Sequence, residues 1–196
     1  MGRFAPDFDA PAVLSTGEIG EYSLHRMIKY KYAVLFFYPL DFTFVCPSEL
    51  IALNKHIKEF GDRNTEVVAI SIDSQFTHHA WQCTSINKGG VGPLAYPVVA
   101  DIKHDICRAY GVEHAELGVA YRATFIIDEA GIVRVQMIND LPFGRNISEI
   151  LRLIDALQHH KEHGEVCPAD WGKGDEAMEA TTAGVAAYLS KHEKDL

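Results

Sequence analysis

The stretch Phe36-Phe37-Tyr38-Pro39-Leu40-Asp41-Phe42-Thr43-Phe44-Val45-Cys46-Pro47-Ser48-Glu49 joins a buried strand to a helix and carries one cysteine at the junction. Residues 32–38 form an aromatic and β-branched run closed by Pro39, the pattern of a core strand in an α/β sheet. Open α/β sheets bind ligands just past their strand ends, which makes this junction the first place to look for chemistry. Pro47 lacks an N–H and has φ fixed near the helical value, so it suits the first helical position and makes Cys46 the expected N-cap. The helix is expected to run toward Phe60 and to end at Gly61. A sulfur at its start faces unpaired backbone N–H groups and the positive end of the macrodipole, and both favour thiolate over thiol. Glu49 stands where a capping-box carboxylate reaches back to the N-cap N–H, yet its charge opposes an anion on sulfur, so a nearby cation is expected. The same residues admit a bland reading, because free cysteine is among the most buried residue types and Phe42, Phe44 and Val45 are apolar enough to enclose it.

Working outward, 196 residues with 47% hydrophobic content are enough for one substantial core and give no compositional reason for two. Residues 1–164 read as one domain and residues 165–196 as a polar C-terminal tail. The longest apolar run, residues 32–40, falls far short of the ~20 residues of a membrane helix. The start, Met1-Gly2-Arg3-Phe4-Ala5-Pro6, has no apolar signal segment, and Pro6 stands where a myristoylation signal wants Ser or Thr. The ending Glu193-Lys194-Asp195-Leu196 is not a Lys-Asp-Glu-Leu retention signal. A soluble, cytoplasmic protein is expected. Eighteen basic against 27 acidic residues give a net charge of −9, which disfavours nucleic acid and anionic membranes as partners. Four cysteines, Cys46, Cys83, Cys107 and Cys167, are widely spread with no Cys-x2-Cys pair. That spacing argues against a structural disulfide framework and fits transient redox chemistry.

Along the chain, Pro6, Pro11 and Gly17 punctuate short apolar pieces that read as irregular structure and a small hairpin. Residues 66–73 form a second buried strand, so strand, helix and strand make a right-handed parallel crossover. Ser74 can cap the next helix, which carries Phe76, Ala80 and Trp81 and stops before Gly89-Gly90-Val91-Gly92-Pro93. A short strand over 96–100, a brief helix over 106–110 ending at Gly111, and a loop over 113–118 follow. Residues 123–128 and 132–138 are apolar runs joined by Glu129-Ala130-Gly131, a hairpin that makes the sheet mixed. Ile147, Ile150, Leu151, Ile154 and Leu157 recur at helical spacing, giving an amphipathic helix that packs on the sheet and is closed by Gly164. The tail is weakly periodic until a short last helix over 185–189. A parallel core with a terminal hairpin points to an α/β, thioredoxin-like fold: a mixed central sheet flanked by helices, plus the tail.

Arg122, in Gly118-Val119-Ala120-Tyr121-Arg122-Ala123-Thr124-Phe125, sits at the mouth of an apolar strand, where an unpaired guanidinium is costly and an anionic partner is required. A surface carboxylate is the bland partner. Pro39, Thr43 and Cys46 stand in a Pro-x3-Thr-x2-Cys arrangement. With Arg122, the opening Ala5-Pro6-Asp7-Phe8 and Glu165-Val166-Cys167-Pro168 in the tail, they make the chain closely resemble the typical 2-Cys peroxiredoxins, the alkyl hydroperoxide reductase C and thioredoxin peroxidase group.

The resemblance implies a thiol peroxidase. Cys46 attacks the terminal oxygen of hydrogen peroxide or an organic hydroperoxide and becomes a sulfenic acid. Arg122 offsets Glu49 and steadies the charge on the leaving oxygen. Thr43 fixes the attack geometry, and Pro39 shapes and shields the pocket. Cys167 of the partner subunit, in a head-to-tail antiparallel dimer, resolves the sulfenic acid. A disulfide needs Cα atoms roughly 4.4–6.8 Å apart, so local unfolding around Cys46 and in the tail is implied. Recycling by thioredoxin or a dedicated disulfide reductase, a homodecamer of five dimers that loosens on oxidation, and no cofactor, haem, flavin or metal are implied as well. Gly89-Gly90-Val91-Gly92 and Tyr188-Leu189 resemble the elements that make some members prone to overoxidation, with Leu189 in place of an aromatic pointing to intermediate sensitivity.

Cys83 and Cys107 lie outside these motifs and read as buried, inert thiols. The ten histidines, among them His78-His79 and the i,i+4 pair His159 and His163, read as solvated helix faces rather than metal ligands. A Cys-His hydrolase is a rival enzyme class, although no hydrolase signature surrounds Cys46. A redox-regulated holdase or a thioredoxin-like binding module is the rival outside catalysis.

Overall fold

The computed structural model describes residues 1–193. Lys194, Asp195 and Leu196, part of the ending read against a retention signal, lie outside the described residues. The first of two compact units spans residues 1–147. In order it contains β1 (Asp9–Val13), β2 (Ile19–Ser23), α1 (Leu24–Met27), β3 (Tyr32–Phe37), α2 (Cys46–Lys55), α3 (Ile57–Asp62), β4 (Thr65–Ser71), α4 (Gln75–Cys83), β5 (Val98–Ala100), α5 (Asp105–Ala109), β6 (Glu113–His114), β7 (Val119–Ala120), β8 (Arg122–Ile127) and β9 (Val133–Asn139).

Seven strands form one mixed sheet in the order β2-β1-β5-β4-β3-β8-β9. The β3–β4 and β4–β5 pairs are parallel, while β1–β2, β1–β5, β3–β8 and β8–β9 are antiparallel. β3 lies between β4 and β8 and is buried at every position, which is why its sequence is a continuous apolar run rather than an alternating one. β9 borders the sheet and alternates, with Val133 buried and every second residue after it exposed. On one face of the sheet the rings of Phe37, Tyr110 and Phe125 pack with centroids 4.9–5.7 Å apart. Ser74 caps α4 by accepting from the Thr77 N–H. Downstream, Gly90 passes so close to the Thr84 carbonyl that any Cβ there would overlap it.

The helix after Cys46 does not run unbroken to Gly61: it stops at Lys55, and α3 restarts at Ile57 with Gly61 inside it, His56 at φ −96° and ψ 3° forming the break. Residues 113–118 are not wholly loop, because Glu113 and His114 pair with Ala120 and Val119 in a two-stranded ladder too short to show a period. His78 is not on a solvated face but is 1% exposed.

The second unit, residues 148–196, holds most of α6 (Ile147–His163) and all of α7 (Thr182–His192), longer than the five-residue helix expected there. Gly164, at φ 72°, follows the end of α6. Val166 and Met178 pair as an isolated bridge, and Thr181 caps α7 through the Gly184 N–H. Among the described residues no helix is long and apolar enough to cross a membrane.

Candidate active site

Cys46 is fully buried at the first position of α2, one place further into the helix than expected. Val45 is the cap, already in the helical region at φ −86° and ψ −36°, and its carbonyl accepts from the Ser48 and Glu49 N–H groups. Pro47 is thus the second helical residue, where its missing N–H still costs nothing. The preceding turn is tight, with Phe42 at φ 54°, a left-handed conformation that costs a non-glycine residue about 1 kcal/mol or more and recurs at functional sites.

That turn brings Thr43 Oγ1 to 2.9 Å from Cys46 Sγ and 2.8 Å from the Leu40 carbonyl. A hydroxyl has one proton, so it donates to only one of these acceptors at a time. When the sulfur is a thiol, S–H donates to Oγ1 and the hydroxyl to Leu40. When the sulfur is a thiolate, the hydroxyl turns to it.

Glu49 does not reach back to the helix cap. It lies one turn into α2, 3% exposed, and is gripped by two guanidinium groups. Arg122 NH1 donates to Glu49 Oε2 at 2.8 Å and to Cys46 Sγ at 3.3 Å, while its Nε donates to the Leu141 carbonyl at 2.6 Å. Arg145 donates through Nε to Oε1 at 2.9 Å, through NH2 to Oε2 at 3.0 Å, and through its backbone N–H to Oε1 at 2.9 Å. Burial pushes the Glu49 carboxyl up, but the Arg145 bonds and the charges of Arg145 and Arg122 outweigh it and hold it below its ordinary value. One buried carboxylate against two buried guanidinium groups leaves one positive charge over. Cys46 Sγ lies against that charge, 3.3 Å from Arg122 NH1.

Arg145 was not singled out in the sequence. Its guanidinium lies 3.3 Å from the centroid of the Phe36 ring and donates to the Ala123 carbonyl, so β3, β8 and α2 all hold it. Beside it, Gly144 packs closely on Val45, where a Cβ would lie 3.3 Å from the Val45 side chain. The available signal was chemical: a buried carboxylate at Glu49 with both oxygens to satisfy asks for more than one cation.

Pro39, Leu40, Thr43, Phe44, Val45, Leu117, Val119, Arg122, Leu141 and Pro142 line a largely apolar cavity of about 610 Å³ at this site. Five of the six sequence-chosen residues therefore converge within the first unit: Pro39, Thr43, Cys46, Glu49 and Arg122. Cys167 belongs to the second unit, half-buried, with Sγ 3.7 Å from the Ala156 carbonyl. Burial raises its thiol above the ordinary value against the opposing charge of Arg152. Of the remaining cysteines Cys107 is buried as expected, but Cys83 is exposed at the end of α4, 3.9 Å from the His79 ring nitrogens.

Comparison with known proteins bears on this arrangement. The AhpC/TSA family matches residues 1–136, and the C-terminal domain of 1-Cys peroxiredoxin matches residues 156–191. Alkyl hydroperoxide reductase C of Buchnera aphidicola (subspecies Acyrthosiphon pisum) is 51% identical over 96% of each chain. The protein of the same name from Helicobacter pylori (strain 26695) is 50% identical over 97% of this chain and 96% of its own. The reduced 2-Cys peroxiredoxin of Plasmodium vivax superposes with a TM-score of 0.94 at 47% identity, covering 97% of this chain and 98% of that one. A thioredoxin-like sheet shared at this identity over nearly the whole length leaves no room for a different ancestry: the chain belongs to the AhpC/TSA family and is a peroxidase of its 2-Cys peroxiredoxin group.

Proposed function

We propose that the protein reduces hydrogen peroxide and organic hydroperoxides through Cys46 and is regenerated through Cys167. The observation that carries this reading is Cys46 Sγ held between Thr43 Oγ1 at 2.9 Å and Arg122 NH1 at 3.3 Å, beside an apolar cavity. The thiolate attacks the terminal peroxide oxygen, the S–O bond forming as the O–O bond breaks. Sulfur is oxidised to a sulfenic acid, and the leaving alkoxide or hydroxide takes a proton and departs as alcohol or water. Arg122 stabilises charge on the leaving oxygen, Thr43 orients the peroxide, Pro39 walls the pocket, and Glu49 fixes both guanidinium groups.

Cys46 is fully buried, so its sulfenic acid meets another thiol only if the first turn of α2 opens. Cys167 of the partner subunit, carried on the tail of residues 165–196, then displaces water to form an intersubunit disulfide. Thioredoxin or a dedicated disulfide reductase reduces it, in the cytoplasm. The working unit is a head-to-tail dimer, assembled as five dimers. Neither the hydrolase nor the holdase reading has a specific observation behind it.

The test is oxidation by one equivalent of hydrogen peroxide. The product should run as a covalent dimer without reductant, with Cys46 joined to Cys167 in peptide maps, and Cys167→Ser should stop turnover with thioredoxin. A strictly intramolecular bridge, or wild-type cycling by Cys167→Ser, would contradict the resolving step. Arg122→Ala should slow peroxide attack by about 10²–10³-fold, and an unchanged rate would remove its electrostatic role.

A further inference from the structure

Behind the reactive turn lies a buried polar group that the peroxidase chemistry does not use. The side chains of Asp41 and His78 are 0% exposed, and the Tyr38 side chain is equally buried. Tyr38 donates from its hydroxyl to Asp41 Oδ1 at 2.6 Å. His78 Nδ1 lies 2.7 Å from Asp41 Oδ2, and its Nε2 lies 3.2 Å from the Val99 carbonyl on β5. Both ring nitrogens therefore face acceptors.

A neutral imidazole has one N–H and cannot serve two acceptors. The Nε2 proton goes to Val99, and the Nδ1 contact needs a second proton, whether it sits on His78 or on Asp41. The pair is then net neutral with every hydrogen bond made, which is how a buried carboxylate and imidazole avoid a large desolvation cost. Burial raises the Asp41 carboxyl above its ordinary value, partly countered by His78, in keeping with a shared proton.

This pair anchors the turn that carries the chemistry. The Asp41 N–H donates to Asp73 Oδ2 at 2.9 Å, a carboxylate that also accepts from Ser71 Oγ at 2.8 Å. The next residue, Phe42, holds φ 54° and packs its ring on Trp81 with centroids 5.8 Å apart. Thr43 follows, its hydroxyl on Cys46 Sγ.

We propose that His78 is a positioning residue for the peroxide reaction: sharing a proton with Asp41, it fixes the 41–43 turn and with it the Thr43 hydroxyl against the reactive sulfur. The proposal rests on Cys46 being the peroxide-reacting thiol. It makes a distinction that packing alone does not. In Asp41→Asn the amide donates to Nδ1 of a neutral His78, its oxygen accepts from Tyr38, and Nε2 still donates to Val99, so the whole network survives. In Asp41→Ala and His78→Leu it does not.

The experiment is stopped-flow mixing of hydrogen peroxide with the fully reduced protein, followed by tryptophan fluorescence, with thermal unfolding measured on each variant. His78→Leu and Asp41→Ala should slow attack by roughly tenfold or more, while Asp41→Asn stays within about threefold of wild type. Should His78→Leu not fold, the Asn and Ala variants decide between themselves. Equal rates in those two, or wild-type attack by a folded His78→Leu, would overturn the proposal. Cys46→Ser run alongside separates the levels, because peroxide consumption by that variant would remove the reading beneath the proposal instead.

Discussion

Cys46 and Cys107 are both buried to 1% exposure or less, and both sit in the first turn of a helix, yet their surroundings carry opposite charge. Cys46 faces the Arg122 guanidinium and the Thr43 hydroxyl. Cys107 faces carboxylates: its N–H donates to Asp101 Oδ2 at 2.7 Å, its thiol donates to the His104 carbonyl at 3.4 Å, and Glu113 lies nearby. Arg108 is the cation at hand there, and it is engaged with Glu113 at 2.8 Å. Burial, then the charge and hydrogen bonding of Asp101, push the Cys107 thiol up to about 12. Helix position is thus a weak predictor of a reactive cysteine. On the chemistry proposed above, the sign of the charge enclosed with each sulfur is what separates the two thiols.

The largest expected effect follows directly. Cys46→Ser should abolish peroxide turnover, whereas Cys107→Ser should keep activity within about twofold, since a surrounded, protonated thiol does no chemistry. Rapid turnover by Cys46→Ser, or its loss in Cys107→Ser with the fold intact, would break the comparison.

Next comes the charge itself. Arg145→Met leaves Glu49 with one guanidinium and removes the surplus positive charge beside Cys46, so peroxide attack should slow by about tenfold even though Arg145 does not touch the sulfur. Breaking a buried ion pair should also lower stability by about 3–5 kcal/mol. Urea denaturation and single-turnover kinetics on the same sample read the two effects. A stability loss without a rate loss would confine Arg145 to a structural role.

A smaller test uses a neutral alkylating agent. At pH 7 in the reduced native protein, iodoacetamide should label Cys46 and the exposed Cys83 while leaving Cys107 intact until the protein unfolds or the pH nears 12. Peptide mass spectrometry over time gives the order, and labelling of Cys107 as fast as Cys46 would show that the enclosed charges do not separate them.

Much of this contrast was legible in the sequence, because local rules wrote it there. β3 and the centre of β4, residues 67–70, are buried and read as apolar runs, and Ser74 caps α4 as its residue type demands. Pro39, Thr43 and Cys46 are neighbours in sequence, so one turn brings them together. Arg145 escaped because its partner is 96 residues away and its own segment has no period. The break at His56 escaped because no Pro or Gly marks it, and the burial of His78 because its partners, Tyr38, Asp41 and Val99, all lie outside its own helix. The exposure of Cys83 depends on which face the last turn of α4 turns outward, which residue type does not state.

The smallest expected effect lies in how stability depends on pH, where the two cysteine sites should mark opposite limbs. Glu49 is lower in the folded protein than its ordinary value, so the stability it contributes is present above the ordinary carboxylate range and lost as pH falls through the lower native value. Cys107 behaves in the opposite sense. Its thiol is raised, so between roughly 8.5, where an unfolded cysteine ionises, and about 12 the unfolded chain has released a proton that the folded one keeps. Stability contributed by that thiol is complete below this window and falls as pH rises through it. Tyr22 and Tyr110, also raised by burial, add to the same alkaline limb, so Cys107→Ala should flatten it only in part. The variant loses some packing at every pH, which shifts the whole curve down without changing its slope. The informative quantity is therefore the difference in urea midpoint between pH 7 and pH 10.5, which should be smaller in Cys107→Ala than in wild type. An identical difference would mean that Cys107 ionises as readily in the folded protein as in the unfolded one, and the charge enclosed with it would no longer explain its inertness.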